Sequence, residues 1–298
     1  MKNDILFDDG KYKIKLDKKH GYYRLDPVPS LKELRKYYNE RFYSQAYSRQ
    51  INDSSKKVHQ EEDYFFQMQY DDLFEIIEKR VSGKKIIDIG CGYGDFLKYC
   101  QKKGYDGFGL DPAQDAVDSA RKAGINVIKA DIENLKDVIK EKYDVVVMLN
   151  VFEHLREPYK TLKIIKNYVL KDHGLLIIRV PNEFNKLQVI ANQEYNLKSW
   201  WISAPQHINY FSVPQLVKLV NRSGFKVFLK EASFPLEIFI LFGEQYVGHP
   251  KIGKTIHKKR VLFEKTLKKH DNDFKRNLFR SFAEQGIGRD IIVYVEKK

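Results

Sequence analysis

The sequence predicts an α/β fold built on a largely parallel sheet covered by helices on both faces. Three observations carry that reading. Short apolar runs alternate with longer helical stretches from residue 85 to residue 230, the rhythm of repeated strand–helix units. The runs Asp144 to Leu149 and Leu175 to Ile178 are apolar almost throughout, as strands buried on both sides must be. The first run, Ile86-Ile87-Asp88-Ile89, passes straight into Gly90-Cys91-Gly92-Tyr93-Gly94 and then a helical stretch. That is how an open sheet builds a ligand crevice at its carboxyl edge.

Taken in order, Lys11 to Leu16 alternates polar and apolar residues and reads as a strand within an N-terminal hairpin. Ser30 and Glu33 form a capping box for a helix running to about Tyr43. The polar stretch Gln45 to Lys57 reads as loop, and residues 58–80 as a helix ended by Val81-Ser82-Gly83. Strands follow at 85–89, 107–111, 126–129, 143–149 and 174–180, with helices at 94–101, 113–123 and 157–170 between them. Pro181 to Gln206 is aromatic and irregular. Pro214 to Ser223 is a helix, Phe225 to Lys230 a sixth strand, and Asp290 to Val295 a last one. The organisation expected is an extension over 1–80 (a hairpin plus helices), a core over 81–233, a basic and mostly helical insertion over 234–288, and the final core strand over 289–298.

The 298 residues suit one core domain with additions. A hydrophobic fraction of 43% is enough to bury a sizeable core. No apolar run reaches the roughly 18 residues of a membrane span, and Met1 to Leu6 lacks the pattern of a secretory leader. The two cysteines, Cys91 and Cys100, make no disulfide framework. These features suit a cytoplasmic chain. The net charge is +13, and residues 249–280 hold 11 basic against 3 acidic side chains. Such a segment is either a solvated helix face or a patch for an anionic substrate, nucleic acid or an acidic membrane surface.

Gly90, Gly92 and Gly94 permit a tight turn and a close approach of backbone to ligand. Their G-x-G-x-G spacing differs from the G-x-G-x-x-G of dinucleotide binders. Asp111, in Asp111-Pro112, lies 21 positions after Gly90, about where a carboxylate accepts from a ribose diol. Asp88, inside the strand end, would repel a pyrophosphate and suits a ligand carrying cationic groups. Asp131 and Ile132 end the third strand, where an acid can accept from an adenine amino group and an apolar side chain can pack on the ring.

These segments, with Tyr143-Asp144-Val145-Val146 and Asn150-Val151-Phe152-Glu153-His154-Leu155, resemble the successive motifs of class I S-adenosylmethionine (SAM)-dependent methyltransferases. The likeness covers roughly residues 84–230 and the last strand. It implies a Rossmann-like, doubly wound seven-stranded sheet of order 3-2-1-4-5-7-6 with the last strand antiparallel. It also implies SAM as cofactor: Asp88 and Gly90 to Gly94, with Cys91, around the methionine moiety, Asp111-Pro112 at the ribose, Asp131 with Ile132 at adenine, and Asn150 near the methyl donor.

Glu153-His154-Leu155 and Pro205-Gln206-His207-Ile208-Asn209-Tyr210-Phe211 are similar to segments of small-molecule O-methyltransferases, including those of ubiquinone biosynthesis and of sugar modification in surface polysaccharides. Some of the former use two acids and a histidine as metal ligands. Here Asn150 occupies the first acid's place, so no metal is expected. His207 and His154 are the candidate bases for a hydroxyl acceptor, histidine having an unperturbed pKa of about 6.5. Glu153 is the candidate to orient one of them. Tyr195, Trp200, Trp201 and Tyr210 are expected in the acceptor wall. Lys258-Lys259-Arg260, Lys268-Lys269 and Arg289 are candidates for anionic groups of the acceptor. The expected partner is thus a small molecule, sugar-containing or anionic. A nucleic-acid acceptor is the alternative, although no Asn/Asp-Pro-Pro-Tyr/Phe motif follows the fourth strand. A non-catalytic SAM-binding protein is the third reading.

Overall fold

The computed structural model describes residues 5–37 and 56–298. A seven-stranded sheet organises it. Its strands are β4 (Lys85–Ile89), β5 (Asp106–Asp111), β6 (Val127–Lys129), β7 (Tyr143–Leu149), β8 (Leu170–Pro181), β10 (Phe225–Ala232) and β11 (Asp290–Lys297), in the order β10-β11-β8-β7-β4-β5-β6. Counted from β4 this is 3-2-1-4-5-7-6. The strands β6, β5, β4, β7 and β8 run parallel, and β11 is antiparallel to both neighbours. The expected architecture is therefore present.

Both faces are covered. On one, Leu73, Phe74 and Ile77 of α2 (Lys56–Arg80) and Phe96 and Cys100 of α3 (Asp95–Lys102) pack on Ile86, Val145, Val147 and Ile177. On the other, Leu162 of α6 (Pro158–Ile164) and Leu216, Leu219 and Val220 of α8 (Val213–Arg222) pack on Ile87, Val146, Leu176 and Val293. Successive residues of a strand point to opposite faces, so an apolar strand supplies both cores at once. Every strand in the parallel set ends at one edge. That edge collects Gly90, Asp111, Asp131, Asn150 and the residues after Pro181.

The N-terminal extension is a small sheet, not a simple hairpin. Strands β1 (Ile5–Asp8), β2 (Lys13–Asp17) and β3 (Tyr22–Asp26) are antiparallel, and β9 (Asn209–Tyr210) joins as the fourth. The short helix α1 (Leu31–Tyr37) starts at the expected capping box: the Glu33 amide donates to Ser30 Oγ at 3.2 Å, and the Ser30 amide donates to Glu33 Oε2 at 2.9 Å. The expected continuation to about Tyr43, and the expected loop from Gln45 up to residue 55, lie outside the described residues.

One expectation is corrected. The stretch Pro181 to Gln206 is not wholly irregular. It holds α7 (Lys186–Glu194), begun by a reciprocal cap between Asn185 and Gln188, a signal present in the sequence. The basic insertion is mostly helical, as expected. It forms α9 (Glu237–Leu241), α10 (Pro250–His270) and α11 (Asn272–Glu284), and much of its charge is used internally. Lys268 pairs with Asp71 at 2.8 Å, Lys275 with Asp72, Arg276 with Glu231 at 2.8 Å, Arg280 with Glu231 at 3.1 Å, Lys259 with Glu244 and Arg260 with Glu264 at 2.7 Å. The acids Asp71 and Asp72 belong to α2, so the insertion is clamped onto the core helix.

Arg276 is 2% exposed and lies between Glu231, Asp72 and Glu75. Removing one partner of a buried pair strands the other, at about 3–5 kcal/mol. Arg276→Ala is accordingly expected to lower the urea-unfolding free energy by about that much, with much smaller losses for Lys269→Ala on the exposed side of α10. Equal effects of the two changes would contradict an internal clamp. Among the described residues no helix is long and apolar enough to cross a membrane.

Candidate functional site

The residues expected to meet the methyl donor and those expected to meet its acceptor occupy two halves of the sheet's carboxyl edge, the donor half and the acceptor half. In the donor half the turn after β4 is locked to β5: the Gly90 and Cys91 amides both donate to Leu110 O, at 2.7 and 3.1 Å. Gly90 has φ 81°, and a Cβ there would lie 2.5 Å from Val151 Cγ2. Only glycine meets both conditions. A Cβ at Gly92 would meet nothing within 4 Å, so its backbone faces open space. Gly94 instead packs near Ile125, which is a structural contact. Cys91 is buried, and burial pushes its thiol pKa far up, so it contributes backbone and not a reactive sulfur.

Asp111 closes β5. Its Oδ2 accepts from the Gly92 amide at 2.9 Å and its Oδ1 from the Ala113 amide at 2.9 Å. A carboxylate oxygen can accept more than one hydrogen bond, and Pro112 beside Asp111 is exposed. Asp88 is different. It is 3% exposed, and its Oδ1 is buried without a hydrogen-bond partner. Burial, then the charge of Asp111, pushes its pKa up to about 8. Such an acid is poised for a cation.

Asp131 is already engaged. Its Oδ2 meets Arg35 of α1 at 2.5 Å, a partner that sequence reasoning missed because it lies 96 positions away. Ile132 follows in a 3-10 turn and packs partly against the main core. Asn150 is exposed and sits at φ 58° just past β7, with its amide donating to Arg179 O at 2.9 Å. Asparagine tolerates this left-handed backbone better than most residues.

In the acceptor half, a 3-10 turn over Phe152–His154 directs Glu153 inward, where it is 1% exposed. His154 Nδ1 donates to Gln206 O at 2.7 Å. A second backbone hydrogen bond, to Asn150, also bears on its ring. His207 Nδ1 meets Glu183 Oε1 at 2.8 Å. The two imidazoles stand edge to face with centroids 5.1 Å apart. Burial, then the neighbouring His207, lowers His154 to about 3, and burial lowers His207 to about 4. Both rings are therefore neutral near pH 7. Burial raises Glu153 and Glu183 well above the carboxylate range, and each has an Oε2 without a partner.

The segment carrying His207 is held from two sides. The Ile208 amide donates to Glu153 O at 3.0 Å, and Asn209 Nδ2 donates to Leu155 O at 2.6 Å. From the other side the Leu25 amide donates to Ile208 O at 2.8 Å, and β3 pairs with β9. The N-terminal sheet thus helps position a core site residue, which sequence reasoning did not anticipate.

The expected acceptor wall is only partly assembled. Tyr210 is 1% exposed and packs with Tyr12, Ile14 and Leu25 in the core of the small sheet. Trp201 is buried against Phe184. Both are buried, and the Tyr210 ring lies 6.3 Å from that of His207. Tyr195 and Trp200 are half-buried, Tyr195 at the end of α7. Arg289 is exposed, and its charge bears on Asp290 and Glu237. Lys259, Arg260 and Lys268 are committed to the ion pairs described above. Glu153, His154 and His207 each offer a donor atom, all within 4.8 Å of one another. Asn150 stands where an acid would be the first ligand, and the fold instead brings His207 from a distant segment as the third donor.

Comparison with known proteins gives the following. A family model described as a methyltransferase domain matches residues 59–230, more than half of the chain. The ubiquinone biosynthesis O-methyltransferase of Shewanella sp. (strain ANA-3) is 27% identical over 151 residues, covering 48% of this chain and 64% of the relative. That of Glaesserella parasuis serovar 5 (strain SH0165) is 33% identical over 129 residues, covering 39% and 54%. The chain therefore spans between about half and two thirds of the length of these curated relatives. A SAM-dependent methyltransferase from Archaeoglobus fulgidus superposes with a TM-score of 0.50 at 20% identity, over 76% of this chain and 92% of that one. Magnesium protoporphyrin IX methyltransferase from Synechocystis PCC 6803 gives 0.50 at 16%, over 67% and 92%. At these identities the two structures speak to the fold.

Proposed function

The chain belongs to the methyltransferase-domain family, and from that premise we propose that it is a SAM-dependent O-methyltransferase acting on a hydroxyl of a small molecule. The observation that carries this reading is the pairing, along one sheet edge, of a partnerless buried acid, Asp88, with a buried neutral histidine, His207. Bound there, SAM supplies a methyl group made electrophilic by the positive sulfur.

The residues present fit that cofactor. Asp88 would meet the ammonium of the methionine moiety, and the open backbone at Gly92 leaves room beside it. Asp111 would accept from the ribose, and Asp131 with Ile132 would border the adenine, with Asn150 nearer the acceptor. His207 holds Nδ1 on Glu183 and keeps Nε2 for the acceptor hydroxyl, whose proton it takes as the new bond forms. The unpartnered Oε2 atoms of Glu153 and Glu183 can exchange hydrogen bonds with further hydroxyls, as donor where the acid holds its proton and as acceptor where it does not. Those two acids favour a substrate with adjacent hydroxyls, either a sugar unit of the kind found in sugar nucleotides and surface polysaccharides or a catechol-like phenol. The names of the relatives favour the phenol. The internal pairing of part of the basic insertion weakens the case for a nucleic-acid acceptor.

The test is transfer from methyl-labelled SAM to sugar nucleotides, catechols and RNA in parallel, with calorimetry for SAM and NADH. The expected result is SAM binding and transfer to a diol-bearing small molecule, unchanged after dialysis against EDTA. Transfer confined to RNA, or SAM binding without any turnover, would replace this reading with one of its competitors. Binding of NADH without SAM would end it.

A further inference from the structure

We propose that Glu183 is the positioning residue for His207, fixing which ring nitrogen faces the acceptor. This inference rests on the reading of His207 as the base. Glu183 is 3% exposed, and its Oε1 lies 2.8 Å from His207 Nδ1. That contact occupies Nδ1 and leaves Nε2 as the working nitrogen. The carboxyl is itself rigidly placed. It follows β8 by two residues, its amide donates to Phe211 O at 3.2 Å, and Asn182 bridges to Phe211. Phe184 then turns the chain at φ 59°, and the Asn185 cap starts α7. The two segments that carry Glu183 and His207 are therefore stitched together at the sheet edge.

The competing candidate is Glu153, and the geometry disfavours it. Its Oε1 is 3.6 Å from His154 Nε2, too far for a hydrogen bond. His154 is already held through Nδ1 by Gln206 O, a backbone contact that needs no acid. A purely structural role for Glu183 is also a poor fit. Burying a carboxyl group is costly, its Oε2 has no partner, and a glutamine or methionine would fill the same space more cheaply.

The experiment compares wild type, Glu183→Gln and Glu183→Ala, with His207→Ala to assign the ring signals. The first readout is ¹⁵N NMR of the His207 imidazole, which needs neither cofactor nor acceptor. Wild type should show one fixed ring state with distinct Nδ1 and Nε2 signals. Glu183→Ala should shift both toward tautomer-averaged values, and Glu183→Gln, which keeps an oxygen for Nδ1, should stay near wild type. The second readout is turnover. Glu183→Ala should lose at least about 10-fold in kcat, part of the 10²- to 10⁴-fold that a positioned base supplies. Its SAM affinity should stay within about two-fold, and Glu183→Gln should recover most of the kcat. Retained SAM affinity also reports an intact fold. Unchanged His207 signals in Glu183→Ala overturn the proposal, as does a kcat loss that Glu183→Gln fails to reduce. If wild type shows no transfer while the ring signals respond as expected, the methyltransferase reading fails and the positioning role stands.

Discussion

Asp88→Asn weakens SAM binding by roughly 30-fold or more, the ~2 kcal/mol lower end of what losing one partner of a buried charge pair costs, and it removes the pH dependence of that binding. Asp88 is buried, its Oδ1 lacks a partner, and burial with the nearby Asp111 raises its pKa from 3.8 to about 8. The ligand-free protein therefore holds Asp88 protonated at neutral pH. A cationic ligand favours the ionised form, so binding below about pH 8 must release a proton. Wild-type affinity should then rise by up to about tenfold per pH unit toward pH 8 and level off above it. The asparagine variant should bind weakly and flatly. The sign for stability is opposite. With the folded pKa raised, the contribution of Asp88 is intact below about pH 4 and is lost as pH rises toward about 8. Ligand-free Asp88→Asn should thus gain stability relative to wild type between those limits, although it binds worse. Calorimetry and urea unfolding from pH 5 to pH 9 measure both effects. An equal pH slope of binding in the two proteins would show that Asp88 does not meet the cation.

The sheet was legible because its signals are local. Val145, Val146, Leu176 and Ile177 form apolar runs that have few alternatives to central strands, and β4 passes directly into its glycine turn. Strand order and the acids at strand ends followed from the family resemblance, and the sheet matches the expected order. What escaped depends on long-range partners. β9 is two residues long, and its pairing with Tyr23 and Arg24 spans most of the chain. Two residues cannot display a period, so nothing in the sequence marks them as a strand. Arg35 on Asp131 and Glu183 on His207 are similar cases. An isolated charged residue shows its charge in a sequence and not its distance from another group. The basic segment illustrates the same limit. Its 11 basic residues were countable, but whether they face solvent or the acids of α2 is decided only by how α10 and α11 pack. Tyr210 is a further case: it packs into the core of the small sheet while its ring lies 6.3 Å from that of His207, and its spacing from His207 in the sequence displays neither contact.

His207→Ala lowers kcat by roughly 10²- to 10⁴-fold, the usual contribution of a positioned general base, while SAM affinity stays close to wild type because His207 belongs to the acceptor half. His154→Ala should act differently. Its Nδ1 is spent on Gln206 O, and the ring joins the turn at Asn150 to the segment bearing His207. Losing it should cost stability and raise the acceptor KM more than it lowers kcat. The pH profile separates the two histidines from an ordinary exposed one. Burial lowers His207 to about 4, so the ring is unprotonated and ready across the neutral range. With SAM saturating, kcat should stay flat from pH 7 down to about pH 5 and fall only near pH 4, with no limb at the 6.5 of an unperturbed imidazole. A limb near 6.5 that disappears in His207→Ala would mean that the ring is solvated during turnover, and hence that the acceptor half opens to water before the methyl group moves. An unaltered kcat in both variants would leave proximity alone to drive the transfer. In that case the buried pair of His207 and Glu183 would have to be explained by the stitching of β8 to the β9 segment.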